Sequence, residues 1–515
     1  MALTVDEVLE QIGGYEKYQI LLLFMFGYVA ITLDSFPTMI VTFITAEPDW
    51  VCVQGNNSMC NFTEAISLTS DHYMARCDMP RDNWTYVSDF TSTVTEFDLV
   101  CEKSYLQSVA QSCYWAGVMV GLIIGGYLSD RFGRKKVFYI GVVGIVVATW
   151  AMVFPKYFAV FIAGRLFNGL GSGLMNATYY VIVAEYTSKR HRARLCISLF
   201  YFWIIALLLL ALLAYLICDW RTLLLCSAVL GTPGLALWWF TPESVRWLLL
   251  QGQEDMARKE LAKAARINKR DMPKDELMKP ETTETHGNLF HLFQNAKLAK
   301  STLINWDIWF TVALVYYGVS YGSVDLGWDR YLTFALTSLV EFPAVYLSVY
   351  LAERLGRKKS TILGLAVSCV ASIIAISMPE DRSKMGFIAG RIAMAALARL
   401  FINVSFACIY LWIVEIYPTF LRSMALSTAS ASGRLGSFTA SYVIWLIRIH
   451  PLLPFGIMGL MCLKSAFLAF LLPETQGQDT LETIRDTMQN INSRENNSRE
   501  NVKQNDNALR SETKF

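Results

Sequence analysis

Four ionisable residues lie where an apolar sequence should have none. Arg434 stands twelve residues beyond Arg422, about 18 Å along a helix at ~1.5 Å per residue. Glu341 is twelve residues from both Asp329 and Glu353, and Arg399 is fifteen from Lys384 and sixteen from Glu415. Asp34 is seventeen residues from Lys17 and thirteen from Glu47. Each sits near the middle of a long apolar run, where a charge is expensive and marks either an ion pair or a functional site. Arg434 lies in Ser427-Thr-Ala-Ser-Ala-Ser-Gly-Arg-Leu-Gly-Ser437, whose small residues leave room around its guanidinium. An unpaired guanidinium there would take a carboxylate in a bidentate grip.

Glu341 and Arg399 have opposite signs at similar depth, so they either fix helix packing as a pair or both meet a substrate. Asp34 with Arg434 would suit a zwitterion bearing a carboxylate and an ammonium group, and Asp34 alone would suit an organic cation. Tyr180, Trp203, Tyr316 and Tyr317 could flank a cation by cation–π contact, although most such aromatics simply pack. The chain has no G-x-x-x-x-G-K-[S/T] phosphate loop, and its five histidines (72, 191, 286, 291, 450) all fall outside the apolar runs. No nucleophile–base set and no metal-ligand spacing occurs. We therefore expect no enzyme, no cofactor and no metal, with any proton coupling confined to Asp34 or Glu341.

The elements that hold these residues follow from composition. Apolar residues make up 54% of the chain and charged ones 17%, too few to coat a water-facing surface of 515 residues. Mean hydropathy is positive, and a net charge of +2 gives no field for nucleic acid. Twelve apolar runs can cross a bilayer, some with tilt. They lie near 18–46, 105–128, 137–154, 157–184, 195–217, 222–241, 302–322, 331–352, 361–378, 385–414, 423–447 and 451–472, numbered here as spans 1 to 12. Backbone groups cannot stay unpaired in hydrocarbon, so the spans must be helices.

Arg131, Arg134, Lys135, Lys136, then Lys189 to Arg194, then Arg354 to Lys359 crowd loops 2–3, 4–5 and 8–9. The positive-inside rule makes those loops cytoplasmic, and an even span count places both termini there. The long loop after span 1 then faces outside. It holds Cys52, Cys60, Cys77 and Cys101, which allow three disulfide pairings, and sequons at Asn56, Asn61 and Asn83. The sequons at Asn176 and Asn403 lie inside apolar runs, beyond reach of a glycosyl transferase. The other seven cysteines read as small core residues.

The chain repeats itself. Asp130-Arg-Phe-Gly-Arg-Lys-Lys136 follows span 2 and Glu353-Arg-Leu-Gly-Arg-Lys-Lys359 follows span 8. Pro242-Glu-Ser244 ends span 6 and Pro473-Glu-Thr475 ends span 12, while Glu185 and Glu415 close spans 4 and 10. Two six-helix halves with a site between them are implied. The expected organisation is a tail 1–17, a lobe 18–241 with external loop 47–104, a central loop 242–301, a lobe 302–472 and a tail 473–515. In the central loop, Gln253 to Lys269 reads as an amphipathic helix with Met256, Leu261 and Ala265 on its apolar face. Gly117, Gly121 and Gly125 form a small-residue packing stripe on span 2, and Gly126 would permit close helix approach.

Gly126-Tyr-Leu-Ser-Asp130-Arg-Phe-Gly-Arg-Lys-Lys136 resembles the loop 2–3 signature of the major facilitator superfamily. Thr95-Glu-Phe-Asp-Leu-Val-Cys101, Pro242-Glu-Ser-Val-Arg-Trp-Leu248 and Glu415-Ile-Tyr-Pro-Thr-Phe-Leu-Arg422 resemble solute carrier family 22, the organic cation, organic anion and carnitine transporters. The resemblance covers residues from about 10 to 485. It implies an all-α membrane fold of two pseudo-symmetric lobes that moves small organic ions by alternating access at the plasma membrane. At the position matched by Arg434, the anion and carnitine branches carry Arg and the polyspecific cation branch carries Asp. This points to zwitterions or anions, with an organic cation carrier using Asp34 as the alternative. Asp130, Arg131, Arg134, Glu185, Glu353, Arg357 and Glu415 are expected to form gating ion pairs. A receptor built on a transporter fold is the rival of another class, and it has no use for two matched gates. Thr513-Lys-Phe515 fits a C-terminal ligand of a PDZ domain.

Overall fold

The computed structural model describes residues 3–476, apart from 54–59, 61–63, 69, 71, 274, 279–288, 327, 379–384, 418, 451 and 452. Asn56, Asn61, Thr513 and Phe515 therefore lie outside the described residues. The described residues are mostly helical. Span 1 covers Lys17–Ile44. Spans 2 to 5 are Tyr105–Phe132, Arg134–Val153, Phe158–Glu185 and Arg192–Leu216, and span 6 is Trp220–Gly231 continued by a 3-10 stretch, Thr232–Trp239. Span 7 is Ala296–Gly322, and span 8 is Arg330–Leu339 followed by Glu341–Arg354. Spans 9 to 12 are Arg357–Ser377, Met385–Ile416, Thr419–Trp445 and Leu453–Ala469.

Among the described residues, nine helices are long and apolar enough to cross a membrane by length and composition alone. Spans 7, 11 and 12 fall short for physical reasons. Span 7 buries Asn305, Thr311 and Ser320 inside the protein, so it has little need of a lipid-like surface. Span 11 is rich in Ser and Thr around Arg434, and span 12 has only 17 residues.

Prolines explain the breaks, because each lacks an N–H and crowds the carbonyl four residues back. Pro343 follows the interruption of span 8 at Val340, and Pro233 opens the 3-10 end of span 6. Pro37 follows a π-helical segment, Ala30–Ser35, that carries Asp34. Such segments commonly sit at functional positions.

Span 4 packs on spans 2 and 3, span 10 on span 9, and span 11 on span 7. The glycine stripe of span 2 meets span 4. A Cβ on Gly121 would lie 2.3 Å from the Leu170 carbonyl oxygen, and one on Gly117 would lie 2.3 Å from that of Leu166. Gly126 faces open space instead, so the close approach expected of it belongs to its neighbour Gly125.

The loop after span 1 folds over one end of the bundle. Its strands β1 (Asp49–Cys52) and β2 (Trp84–Val87) pair antiparallel. Disulfides join Cys52 to Cys60 and Cys77 to Cys101, which selects one of the three pairings open to the sequence. We call this end the disulfide face and the opposite end the basic face. On the basic face, helix Glu254–Asn268 buries Ala257, Leu261, Ala264 and Ala265, whereas Met256 is exposed. The apolar stripe is thus rotated away from the expected Met256. Asn268 ties this helix to span 1, accepting from the Tyr18 amide at 2.8 Å.

Candidate functional site

At mid-bundle the lobes face each other across a space lined by aromatic rings. Arg434 projects into it from span 11, half-buried. Its Nε is buried with no hydrogen-bond partner, and its guanidinium makes no ion pair among the described residues. Its guanidinium carbon lies over the face of Trp115 from span 2, 5.6 Å from the ring centroid. Trp115 in turn stands edge-on to Tyr317 of span 7, ring centroids 4.5 Å apart. Tyr317, Tyr410, Asp34 and Tyr114 lie within electrostatic reach of Arg434. Tyr180, half-buried, stacks close to Tyr179 at 4.0 Å and faces the same space near Tyr410.

Asp34 is 8% exposed. Asn176 Nδ2 donates to its Oδ1 at 2.9 Å, and the Tyr179 hydroxyl donates to its Oδ2 at 3.4 Å. The same amide nitrogen meets the Ser172 carbonyl oxygen at 3.0 Å and the Ser172 hydroxyl at 3.2 Å. Its partners fix the nitrogen, not the oxygen, toward the carboxylate.

Glu341 and Arg399 form a buried ion pair. Arg399 Nη2 lies 2.7 Å from Glu341 Oε1, with the side chains 0% and 2% exposed. The Tyr316 hydroxyl donates to the same oxygen at 3.0 Å, and Trp203 of span 5 donates to Tyr316 at 2.9 Å. Tyr316 and Trp203 therefore serve this pair and link the lobes, rather than lining free space beside Arg434.

Toward the disulfide face the lobes are closed. Ser108 of span 2 donates to the Ser441 carbonyl at 2.9 Å, and Trp445 donates to Ser104 at 3.2 Å. Glu47, after span 1, is the hub. Its Oε1 accepts from Arg448 Nε at 2.6 Å and from Gln107 at 3.1 Å, while Oε2 accepts from Arg76 at 3.2 Å and from the Tyr73 hydroxyl. Burial alone would raise the Glu47 carboxyl, but the Arg448 and Arg76 guanidiniums offset it and hold the group below the ordinary 4.5.

On the basic face the repeated motifs build matching clusters. Arg134 lies 3.4 Å from Asp130 and 3.8 Å from Glu185, and Arg357 lies 2.8 Å from Glu415. Arg131 packs over Phe132, and Glu353 contributes its backbone carbonyl to Gln476; neither forms an ion pair among the described residues. Glu243 caps span 3 by accepting from the Arg134 and Lys135 amides at 2.9 and 3.1 Å. Glu474 does the same for span 9, accepting from Arg357 and Lys358 at 3.0 and 3.4 Å. A carboxylate suits the unpaired amides at a helix start. Ser244 then donates to Glu185, and Thr475 to Glu415 at 2.5 Å.

The family described as "Sugar (and other) transporter" matches residues 18–486. "Solute carrier family 22 member 15" of Xenopus tropicalis is 31% identical, over 94% of this chain and 91% of its own. "Solute carrier family 22 member 7" of Rattus norvegicus is 33% identical, over 78% and 76%. This chain belongs to solute carrier family 22. Another relative, the "Organic cation transporter protein" of Drosophila melanogaster, is 29% identical over 93% of this chain and 94% of its own. Among solved structures, the xylose transporter XylE from E. coli in a partially occluded inward-open conformation superposes with a TM-score of 0.60. It covers 91% of this chain and 100% of its own at 16% identity, which shows the major facilitator fold. Solute carrier family 22 members are transporters, not enzymes, and this membrane protein is one of them.

Of the seven substrate-binding residues expected from sequence, the structure brings Arg434, Asp34, Tyr180 and Tyr317 to one space and places Glu341, Arg399 and Tyr316 in a cluster beside it. The sequence reading missed Trp115, Tyr179, Asn176 and Tyr410. Asn176 carried a usable signal, an amide one helical turn after Ser172 inside an apolar run.

Proposed function

We propose that this transporter carries carboxylate-bearing organic solutes, organic anions foremost, through alternating access at the plasma membrane. The single observation carrying the reading is Arg434, a guanidinium in an aromatic-lined space between the lobes that makes no ion pair among the described residues. Such a group is costly in a membrane protein unless it meets an anion during the cycle. The organic cation reading loses support because both Asp34 oxygens already accept from Asn176 and Tyr179. A zwitterion fits the same grip, with Tyr180 and Tyr317 offering ring faces to its ammonium group.

The disulfide-bonded loop and the basic loops support an extracellular and a cytoplasmic assignment for the two faces. Both termini and the C-terminal PDZ ligand would then be cytoplasmic. With the disulfide face closed by Glu47, Arg448 and Ser108, the conformation corresponds to an inward-facing one. Arg134, Glu185, Arg357 and Glu415 would anchor the loops that must close on the other half of the cycle. Asn83, half-buried with its amide nitrogen covered, would be glycosylated before its loop packs.

Uptake of radiolabelled hippurate, glutarate, carnitine and tetraethylammonium into proteoliposomes, with and without sodium, tests the reading. Saturable uptake of the carboxylates with little of tetraethylammonium is expected. Preference for tetraethylammonium would overturn it.

A further inference from the structure

We propose that Asp34 is a proton-binding site and that the chain carries its carboxylate substrate together with a proton. The inference rests on the anion reading of Arg434 and adds the co-transported ion. Among the described residues, two buried carboxylates in the spans could take part, and their surroundings separate them. Glu341 has a guanidinium at 2.7 Å in the same lobe. That pair is neutral as it stands, and protonating Glu341 would leave Arg399 uncompensated.

Asp34 has only neutral donors in contact with it, from Asn176 and Tyr179. The other groups facing it are Ser172 and Tyr180 on span 4, Tyr114 on span 2, Tyr317 on span 7 and Arg434 on span 11. Among these, Arg434 is the one permanent charge, and it stands in the opposite lobe. Arg165, also buried, is held by the Pro37 carbonyl at 2.6 Å and by Gln111, so it travels with the N-terminal lobe and is unchanged by loading.

The charge count then dictates the coupling. In the empty site Asp34 and Arg434 sum to zero. A monoanion on Arg434 makes the site negative, and an uncompensated charge in this low-dielectric space is unfavourable. A proton on Asp34 restores neutrality, whereas a proton without the anion makes the site positive. Empty and doubly loaded are thus the two neutral forms, and each ligand favours binding of the other. The occupant at Asp34 must be small, because the residue is 8% exposed. It is also unlike a metal site. The Asn176 amide turns its nitrogen to the carboxylate and is fixed that way by Ser172, while a sodium ion needs oxygens directed at it.

The test uses the full chain in proteoliposomes loaded with a pH-sensitive dye. Sodium-free buffers and protein-free vesicles serve as controls for hippurate permeation. Hippurate should drive proton entry at one proton per hippurate, and accumulation should rise about tenfold per unit of inward pH gradient without responding to membrane potential. D34N, checked for an unchanged melting temperature, should lose both the proton entry and the gradient dependence. Carboxylate uptake with no proton movement, or with sodium required, overturns this inference and leaves the Arg434 reading standing. Absence of any carboxylate uptake overturns both. Proton entry that persists in a folded D34N overturns the assignment to Asp34.

Discussion

Arg448→Ala should release the disulfide face of the transporter without unfolding it. Arg448 belongs to the C-terminal lobe and reaches Glu47 Oε1 at 2.6 Å and the Gln107 side-chain oxygen at 2.9 Å, both in the N-terminal lobe. Those bonds exist only while this face is shut. Glu47 would keep Arg76 at 3.2 Å and Tyr73, so no carboxylate is stranded. Losing a hydrogen bond to a charged group costs about 1.5–3 kcal/mol. The balance between the two facings should therefore move by roughly tenfold to hundredfold toward the form open at the disulfide face. A reporter is Ser108→Cys, because Ser108 is 6% exposed and donates to Ser441 across the closed interface. Labelling by a membrane-impermeant thiol reagent should speed up by that factor when Arg448→Ala is added. An unchanged rate refutes the latch. The pH response follows from Glu47, whose carboxyl is held below 4.5. A depressed carboxyl contributes its full stabilisation above the ordinary value and loses it as pH falls through the lower folded one. Corrected for the falling thiolate fraction of the reporter cysteine, labelling should thus stay flat from about pH 7.5 to about 5.5 and rise only in stronger acid.

Three further outcomes are expected. Glu341→Gln strands Arg399, which is 0% exposed. It should cost about 3–5 kcal/mol, seen as a lower melting temperature and intracellular retention, with a double Leu replacement of both residues recovering most of the loss. Gly133→Ala should impair folding or turnover, because φ is +97° and the new Cβ would lie 2.4 Å from Glu243 Oε2. The strain amounts to about 1–3 kcal/mol, and normal surface expression with normal maximal rate would count against the cap. Removing Cys77–Cys101 should destabilise the disulfide-bonded loop more than removing Cys52–Cys60, since the sequence separations are 24 and 8. Chain entropy gives about 3.5 against about 2.5 kcal/mol, and limited proteolysis of the loop would show the order.

What the sequence disclosed depended on range. Twelve apolar runs and the doubled motifs are local features, and residue counting along a helix was enough to put Arg434 and Asp34 at mid-depth. Equal depth and opposite charge were enough to suggest the Glu341–Arg399 pair. Partners distant in sequence left no trace. Arg448 and Glu47 are 401 residues apart, and nothing in either loop points to the other. The π-helical segment around Asp34 was equally hidden, because it depends on tertiary contacts as well as on Pro37. Gly126 and Met256 were misassigned by one step of helical phase, an error that periodicity alone does not prevent. The second acid of each basic-face cluster was present in Pro242-Glu-Ser244 and Pro473-Glu-Thr475, but its capping role needed the fold.

The central claim is that Arg434 grips the carboxylate of the solute. A hippurate concentration series on surface-matched Arg434 variants tests it most directly. Arg434→Ala should raise KM about tenfold to hundredfold, the cost of about 1.5–3 kcal/mol for a lost bond to a charged group. Arg434→Lys should recover part of that, keeping the charge without the fork, and Arg434→Asp should shift preference toward tetraethylammonium. If Arg434→Ala carries hippurate with unchanged KM and maximal rate, Arg434 is a packing residue and the account is contradicted.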